Sequence, residues 1–539
     1  MMNAPSPWLP DIFDEDLGQA NIGLAQICKP LAYIQSGETQ AMLDLGTLLL
    51  ACGVLLIGAP LLLILLLRFR ASQSAANSAV SKALRGQETV AFFHPYANAG
   101  GGGERVLWCC IRSVQQNHPG VACVVYTGDT DVTAAGLLET AQQRFGLTIN
   151  ATGVHFVFLT KRHWVEASSW PRFTLIGQSL GSLVLGWEAI CQFQPDVYID
   201  SMGYAFTLPL FRLLSSCRVG CYVHYPTIST DMLEQVRGRR SDAVCNDAMV
   251  ARSSILSAAK LLYYKAFAAL YGMAGKSANV VLVNSSWTRG HIDTLWAVPD
   301  RTCTVYPPCD TAVLAGLPLD RAKKDFSGKL VLSLAQFRPE KNHALQLRSF
   351  AKYREQRGSG SPDVRLVLAG GCRDDGDRRR VEALRKLCSE LGLHEEGEEG
   401  GGREWDVSFR TNVPLKEMQS LLSQADVGLH TMRDEHFGIS VVEFMAAGAV
   451  VIAHNSAGPA MDIVTPLADG RRTGMLASDD ADYARKLREA LDETSTEDRR
   501  KIAEAAREAV RDRFSQEAFE EKVAQRLIAP LRRPRQKTT

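Results

Sequence analysis

The chain has 539 residues, 46% hydrophobic and 22% charged, the composition of a folded protein too long for a single core. A formal net charge of +1 gives no electrostatic reason to expect a nucleic-acid partner. The 13 cysteines are scattered and odd in number, and neither the C-x3-C pair Cys217/Cys221 nor the neighbours Cys303 and Cys309 meet a second pair. They read as free thiols of a reducing compartment rather than zinc ligands or a disulfide framework.

In chain order, an acidic N-terminal tail (1–44) precedes an almost unbroken apolar run at 45–67. About 23 helical residues at ~1.5 Å each span about 35 Å, enough to cross a bilayer. The run is too long and too far from Met1 for a cleaved signal peptide, and its N-terminal flank is acidic. Arg68, Arg70, Lys82 and Arg85 follow it, so the positive-inside rule predicts a lumenal tail and a cytosolic body. The sequons at Asn150 and Asn284 then stay unmodified. Residues 68–87, small and polar from 72 onward, read as a juxtamembrane linker.

After the linker, short β-branched runs alternate with helical patterns. Strands are predicted at 90–93, 122–126, 155–159, 197–200, 219–224 and 280–284, then at 330–334, 365–369, 406–409, 427–430 and 450–453. Strands separated by helices imply parallel sheets, so the fold class is α/β with two doubly wound, Rossmann-like domains. The predicted domains are 88–308 and 328–512, with a hinge at 309–327 and a ligand cleft between them. Residues 513–539 are predicted as a C-terminal helix and a basic tail with Arg532, Arg533, Arg535 and Lys537. The segment 255–271 reads as a core helix, with a membrane-skimming helix as the alternative. The Glu- and Gly-rich stretch 395–403 reads as a flexible surface insertion.

Four segments carry chemistry. The first strand runs into Phe93-His94-Pro95-Tyr96 and then Gly100-Gly101-Gly102-Gly103, a loop whose backbone a ligand can approach closely. It has neither the Lys-Ser/Thr of a P-loop nor dinucleotide spacing. Next, His224 lies at a strand end facing the predicted cleft. Third, Arg338-Pro339-Glu340-Lys341-Asn342 follows a strand and offers a fork and a point charge to phosphate oxygens. Fourth, Glu435-His436-Phe437-Gly438-Ile439-Ser440-Val441-Val442-Glu443 places two carboxylates in E-x7-E spacing across a strand-to-helix turn. Amides of Gly438 to Ser440 then stand at a helix start, where a diphosphate is favoured. Asp129-Thr130-Asp131 resembles a metal-binding D-x-D but reads as a turn, and metal ligands are not evident.

Together these segments closely resemble glycosyltransferase family 4, and within it the eukaryotic α-1,2-mannosyltransferases that add the fourth and fifth mannoses to a dolichol-linked oligosaccharide. The likeness runs from about residue 90 to residue 527. It rests on the glycine run, on V-H-Y-P-T-I-S-T-D-M-L at 223–233, V-N-S-S-W-T at 283–288, R-P-E-K-N-H at 338–343, and the string 429–448. The resemblance implies a GT-B fold, a GDP-mannose donor, a dolichol-diphosphate-linked acceptor, retention of configuration and no metal or other cofactor. It further implies residence at the endoplasmic reticulum membrane, with other mannosyltransferases of the same pathway as partners.

By the same likeness, Glu443 holds ribose hydroxyls, Glu435 contacts the donor sugar, and Phe437, Gly438, Ile439 and Ser440 bind diphosphate with Arg338 and Lys341. Gly101, Gly102 and Gly103 close over the donor, and His224 sits near the transferring sugar. Two positions depart from the pattern: Ala457, where glycine is expected, and Ala460, where lysine is expected. A family 4 enzyme with another donor or acceptor is the alternative. A non-catalytic scaffold of this fold would be marked by loss of the carboxylates or of the Arg/Lys pair, and all four are kept.

Overall fold

The computed structural model describes residues 58–238, 254–319, 328–357, 363–397 and 405–532. The chain divides into two compact units, 1–66 and 67–539. Residues 45–57 of the predicted apolar run lie outside the described residues. Its remainder starts the helix Ala59–Ala76, whose Leu61, Leu62, Leu63, Leu65 and Leu66 are exposed. Among the described residues this is the one helix long and apolar enough to cross a membrane.

That helix corrects the predicted linker. It continues nine residues past Leu67, and a second helix, Ala79–Ala83, follows with Ser78 as its N-cap. The residues in question are mostly alanine, arginine, glutamine and serine, and alanine, arginine and glutamine favour helix. Ala71 and Ala75 are buried, so packing holds this stretch as well.

The second unit contains two parallel sheets. The first has strands β1 (Thr89–Phe93), β2 (Ala122–Thr127), β3 (Val154–Phe158), β4 (Val197–Asp200), β5 (Arg218–Val223), β6 (Val280–Val283) and β7 (Thr302–Thr304), in the order β3-β2-β1-β4-β5-β6-β7. The second has β8 (Lys329–Leu334), β9 (Val364–Gly370), β10 (Val407–Thr411), β11 (Val427–Leu429), β12 (Val450–His454) and β13 (Met475–Ala477), in the order β10-β9-β8-β11-β12-β13. These are two doubly wound domains. Strand order reverses between β1 and β4 and again between β8 and β11, the points where such sheets bind ligands at their carboxyl ends. The glycine run follows β1, Arg338 and Lys341 follow β8, and Glu435 follows β11.

Each predicted strand coincides with an observed one within a residue or two. The two strands not predicted, β7 and β13, are edge strands of three residues each, too short to show a period. The stretch predicted as a flexible insertion is anchored at its start: Glu395 bridges to Val407 and pairs with Arg385, and Glu396 accepts from Ser408 and Arg410. Residues 398–404 lie outside the described residues.

The C-terminal segment returns to the first sheet. Phe519, Val523, Leu527, Ile528 and Leu531 share one core with Val90, Phe92 and Tyr222. Gly220 in β5 makes room, since a Cβ there would lie 2.6 Å from Leu531 Cδ1. Arg532 is a packing residue rather than a solvated tail charge: its Nη2 lies 2.7 Å and its Nε 2.9 Å from the Glu88 carboxylate. Arg533, Arg535 and Lys537 lie outside the described residues. The two crossings between sheets run side by side, with Cys309 N–H donating to Phe514 O at 3.2 Å.

The helix Ser254–Gly275 buries Tyr264, Phe267, Ala268 and Tyr271, while Leu256, Leu262, Leu270 and Met273 are exposed. Its core reading therefore holds for one face. The ten described cysteines are free thiols.

Candidate active site

The loop after β11 is held by its surroundings before any ligand arrives. Asp434 sits at φ +57° and Gly438 at φ +115°, the latter a conformation that only glycine adopts cheaply. Gly458 N–H donates to Glu435 O at 2.9 Å, and Asp434 N–H to the Ser456 hydroxyl at 2.9 Å. Phe437 is buried against Tyr306 and Phe514. The helix Ile439–Ala447 then begins; the Val441 and Val442 amides donate to Gly438 O, and those of Ile439 and Ser440 precede the first intrahelical bond.

The strap at 455–458 explains one departure in the sequence. Ala457 lies at φ +47°, in the left-handed region where a Cβ is strained, which is why glycine suits this position. Ala457→Gly is expected to stabilise the chain by about 1 kcal/mol, read from denaturant unfolding.

Lys341 reaches the loop from the 3-10 turn Pro339–Lys341 that follows β8. Its Nζ lies 2.5 Å from Glu435 Oε2, and its carbonyl accepts from the Thr431 hydroxyl at 2.9 Å. His430, at the end of β11, donates from Nε2 to the same Glu435 oxygen at 3.2 Å. Burial alone would raise the Glu435 carboxyl, but the His430 hydrogen bond and the Lys341 charge win and hold it well below the usual carboxylate range. Glu435 is therefore a carboxylate held in place by a cation and an imidazole. Arg338 stands on the same turn, 40% exposed, with Nη1 3.5 Å from Glu340 and outside the Lys341–Glu435 pair.

From the first sheet the glycine run faces this loop. Gly102 opens the helix Gly102–Asn117, and a Cβ there would lie 2.8 Å from Ile439 Cδ1 across the cleft. A Cβ on Gly103 would lie 3.9 Å from the His224 ring. Gly101 N–H donates to Glu104 at 2.5 Å; His94 Nε2 lies 3.3 Å from Glu104, and His94 Nδ1 lies 3.0 Å from the Ser201 hydroxyl. His224 Nε2 donates to Ser201 O at 3.0 Å. Burial, helped by His94, pushes the His224 imidazole down to about 4, so it is neutral at neutral pH and has Nδ1 as its acceptor. Asn284, one of the sequons, is buried and donates its amide to His224 O at 2.7 Å.

Glu443 lies one turn into the helix, and burial pushes its carboxyl up to about 7, with Arg105 opposing and Asp310 adding to the rise. Asp129 is committed to structure: it accepts from Asn98 N–H and the Thr127 hydroxyl and pairs with Arg162. The structure thus brings Gly102, Gly103, His224, Ile439, Glu435 and Lys341 to facing ends of two sheets, and leaves Arg338 at the surface. His430, His94, Glu104 and Arg105 join them, and the sequence reading had not singled them out. His94 and Glu104 have local signals, the first within the string that leads into the glycine run and the second three residues beyond the N–H of Gly101.

Residues 87–296 match the family model described as ALG11 mannosyltransferase N-terminus, and residues 319–509 match Glycosyl transferases group 1. A human relative named GDP-Man:Man(3)GlcNAc(2)-PP-Dol alpha-1,2-mannosyltransferase is 48% identical over 495 residues, covering 92% of this chain and 96% of its own length. The mouse protein of the same name is 48% identical, covering 88% and 93%. Among solved structures, a glycosyltransferase from Rickettsia africae superposes with a TM-score of 0.55 at 14% identity, covering 83% of this chain and all of the other, which is a likeness of fold. The chain therefore belongs to the GDP-Man:Man(3)GlcNAc(2)-PP-Dol alpha-1,2-mannosyltransferase family, and it is a glycosyltransferase of GT-B fold.

Proposed function

We propose that this chain transfers mannose from GDP-mannose to a dolichol-diphosphate-linked oligosaccharide, with retention of configuration, at the cytosolic face of the endoplasmic reticulum. The observation that carries this reading is the Lys341–Glu435–His430 cluster beside the start of the helix Ile439–Ala447, faced by Gly102 and His224. Lys341 and the amides of Phe437, Gly438, Ile439 and Ser440 neutralise the departing diphosphate, whose negative charge grows as the sugar leaves. Glu435 contacts the donor sugar, and Gly101, Gly102 and Gly103 close over it. Neutral His224 lies beside the transferring sugar as a hydrogen-bonding group. The acceptor hydroxyl attacks from the face the diphosphate leaves, and a departing phosphate oxygen takes its proton.

The apolar helix anchors the enzyme, and the basic residues following it place the two sheets in the cytosol with the acceptor lipid. Protein cations and amides meet the diphosphate charge, so this reading assigns no metal ion. Chelation with EDTA is expected to leave the transfer rate unchanged; a loss restored by a divalent ion contradicts it. Mass analysis of the lipid-linked product from purified chain and GDP-mannose, with the new linkage assigned by an α-1,2-specific mannosidase, tests the reading as a whole. A product longer by α-1,2-linked hexose supports it, and no extension overturns it.

Glu443 holds the ribose hydroxyls of the nucleotide. Hydroxyls that donate to it favour its ionised form, and the free carboxyl ionises near 7. GDP affinity is therefore expected to rise with pH, about tenfold between pH 6 and pH 8 for a shift of this size. Calorimetric titration across that range checks it, and Glu443→Gln should flatten the dependence.

A further inference from the structure

The residue next to Glu435 is gripped from the opposite sheet domain. His436 stacks on Tyr225, with ring centroids 4.1 Å apart and planes 28° apart, and on Trp287, at 5.3 Å and 23°. Tyr225 follows β5 and Trp287 lies in the first turn of the helix Ser286–Trp296, so both belong to the first sheet's domain while His436 belongs to the second's. Trp287 is itself buttressed edge-on by His291 at 4.1 Å. His291 Nδ1 lies 2.7 Å from the Thr230 hydroxyl, and its Nε2 lies 3.5 Å from Asp231. Burial, helped by Lys341 and His291 and opposed by Glu435 and Glu340, lowers the His436 pKa, so the ring is a neutral stacking partner.

The grip has a direct consequence for the neighbouring carboxylate. On one side of Glu435 its backbone runs through His436 into the buried Phe437. On the other side Asp434 is strapped to Ser456. The other domain holds this loop at two adjacent rings, His436 on Tyr225 and Trp287 and Phe437 on Tyr306, and His436 is the one a single peptide bond from Glu435. We propose that Tyr225 and Trp287 are positioning residues for the transfer reaction: they clasp His436 across the cleft and so fix the Glu435 carboxylate against the donor sugar. This rests on Glu435 contacting that sugar, as in the proposed function. The helix-start amides hold the diphosphate without passing through the clasp, so loss of the clasp weighs more on the alignment of Glu435, and of the Lys341 paired with it, than on donor binding.

The test is steady-state kinetics on the full chain with GDP-mannose and lipid-linked acceptor, for Tyr225→Leu, Tyr225→Phe, Trp287→Leu and Trp287→Phe. Removing either ring is expected to lower kcat about tenfold or more, because small misplacements of reacting groups are costly, with the KM for GDP-mannose changed by less than about threefold. The Phe variants keep an aromatic face and should recover most of kcat. Tyr225 is 38% exposed, so its variants report on the clasp even where a Trp287 change disturbs folding. Wild-type kcat in Tyr225→Leu overturns the proposal, as does a parallel loss in Tyr225→Phe. Absence of transfer by the wild-type chain instead counts against the functional reading beneath it, and with that reading the clasp's role falls too.

Discussion

Lys341→Ala and Glu435→Ala are each expected to lower kcat by about 10²- to 10³-fold while the chain stays folded, the scale seen when one preorganised electrostatic group is removed. The two side chains meet at 2.5 Å, with His430 on the same carboxylate oxygen. Removing Lys341 takes away a cation that both balances Glu435 and stands ready for the diphosphate. Removing Glu435 leaves Lys341 without the carboxylate that aims it. Glu435→Gln keeps the shape and loses the charge, and it should fall nearly as far as alanine. Lys341→Arg is not a conservative change here, because a compact ammonium is replaced by a wider planar fork. Transfer rates measured beside thermal melts separate chemistry from folding, and full activity in either alanine variant refutes the assignment.

Asp462→Ala is expected to cost about 3 kcal/mol of stability, since it strips a buried carboxylate from several donors at once. Asp462 is 1% exposed and accepts from the Ser286 N–H at 2.8 Å, the Ser286 hydroxyl at 2.6 Å and the Tyr306 hydroxyl at 2.9 Å. Ser286 opens a helix of the first sheet's domain, whereas Asp462 follows β12 in the second. The bonds therefore join the two domains one residue away from Trp287. Asp462→Asn keeps one carbonyl acceptor and should lose roughly half as much. Denaturant unfolding gives the size of the loss, and hydrogen exchange at the Ser286 amide shows whether it falls at this contact.

Much of this architecture is legible in the sequence because it rests on local pattern. β-branched runs broken by helical stretches mark parallel sheets, and glycines, cations or carboxylates just past a strand mark the ligand-facing edge. That pattern picks out Gly102, Lys341 and Glu435 as candidates, and the E-x7-E spacing adds Glu443. What local pattern cannot carry is partnership over distance. His94 meets Ser201 across 107 positions, Lys341 meets Glu435 across 94, and the rings of Tyr225 and His436 come together only when two domains pack. Ala457 reads as a departure from a family pattern, while the strain behind it is visible only in its backbone angle. The edge strands β7 and β13 escape notice because three residues hold no period. The helix past Leu67 is missed because small polar residues look like linker until two alanines are seen buried.

In the proposed mechanism the nucleotide diphosphate is held where Lys341 and the first amides of the helix Ile439–Ala447 converge. A structure of the chain bound to GDP tests it most directly. The β-phosphate is expected within hydrogen-bonding distance of Lys341 and of amides among Gly438, Ile439 and Ser440, with the ribose at Glu443. A nucleotide seated elsewhere, with the Lys341–Glu435 pair untouched and those amides facing solvent, would contradict it.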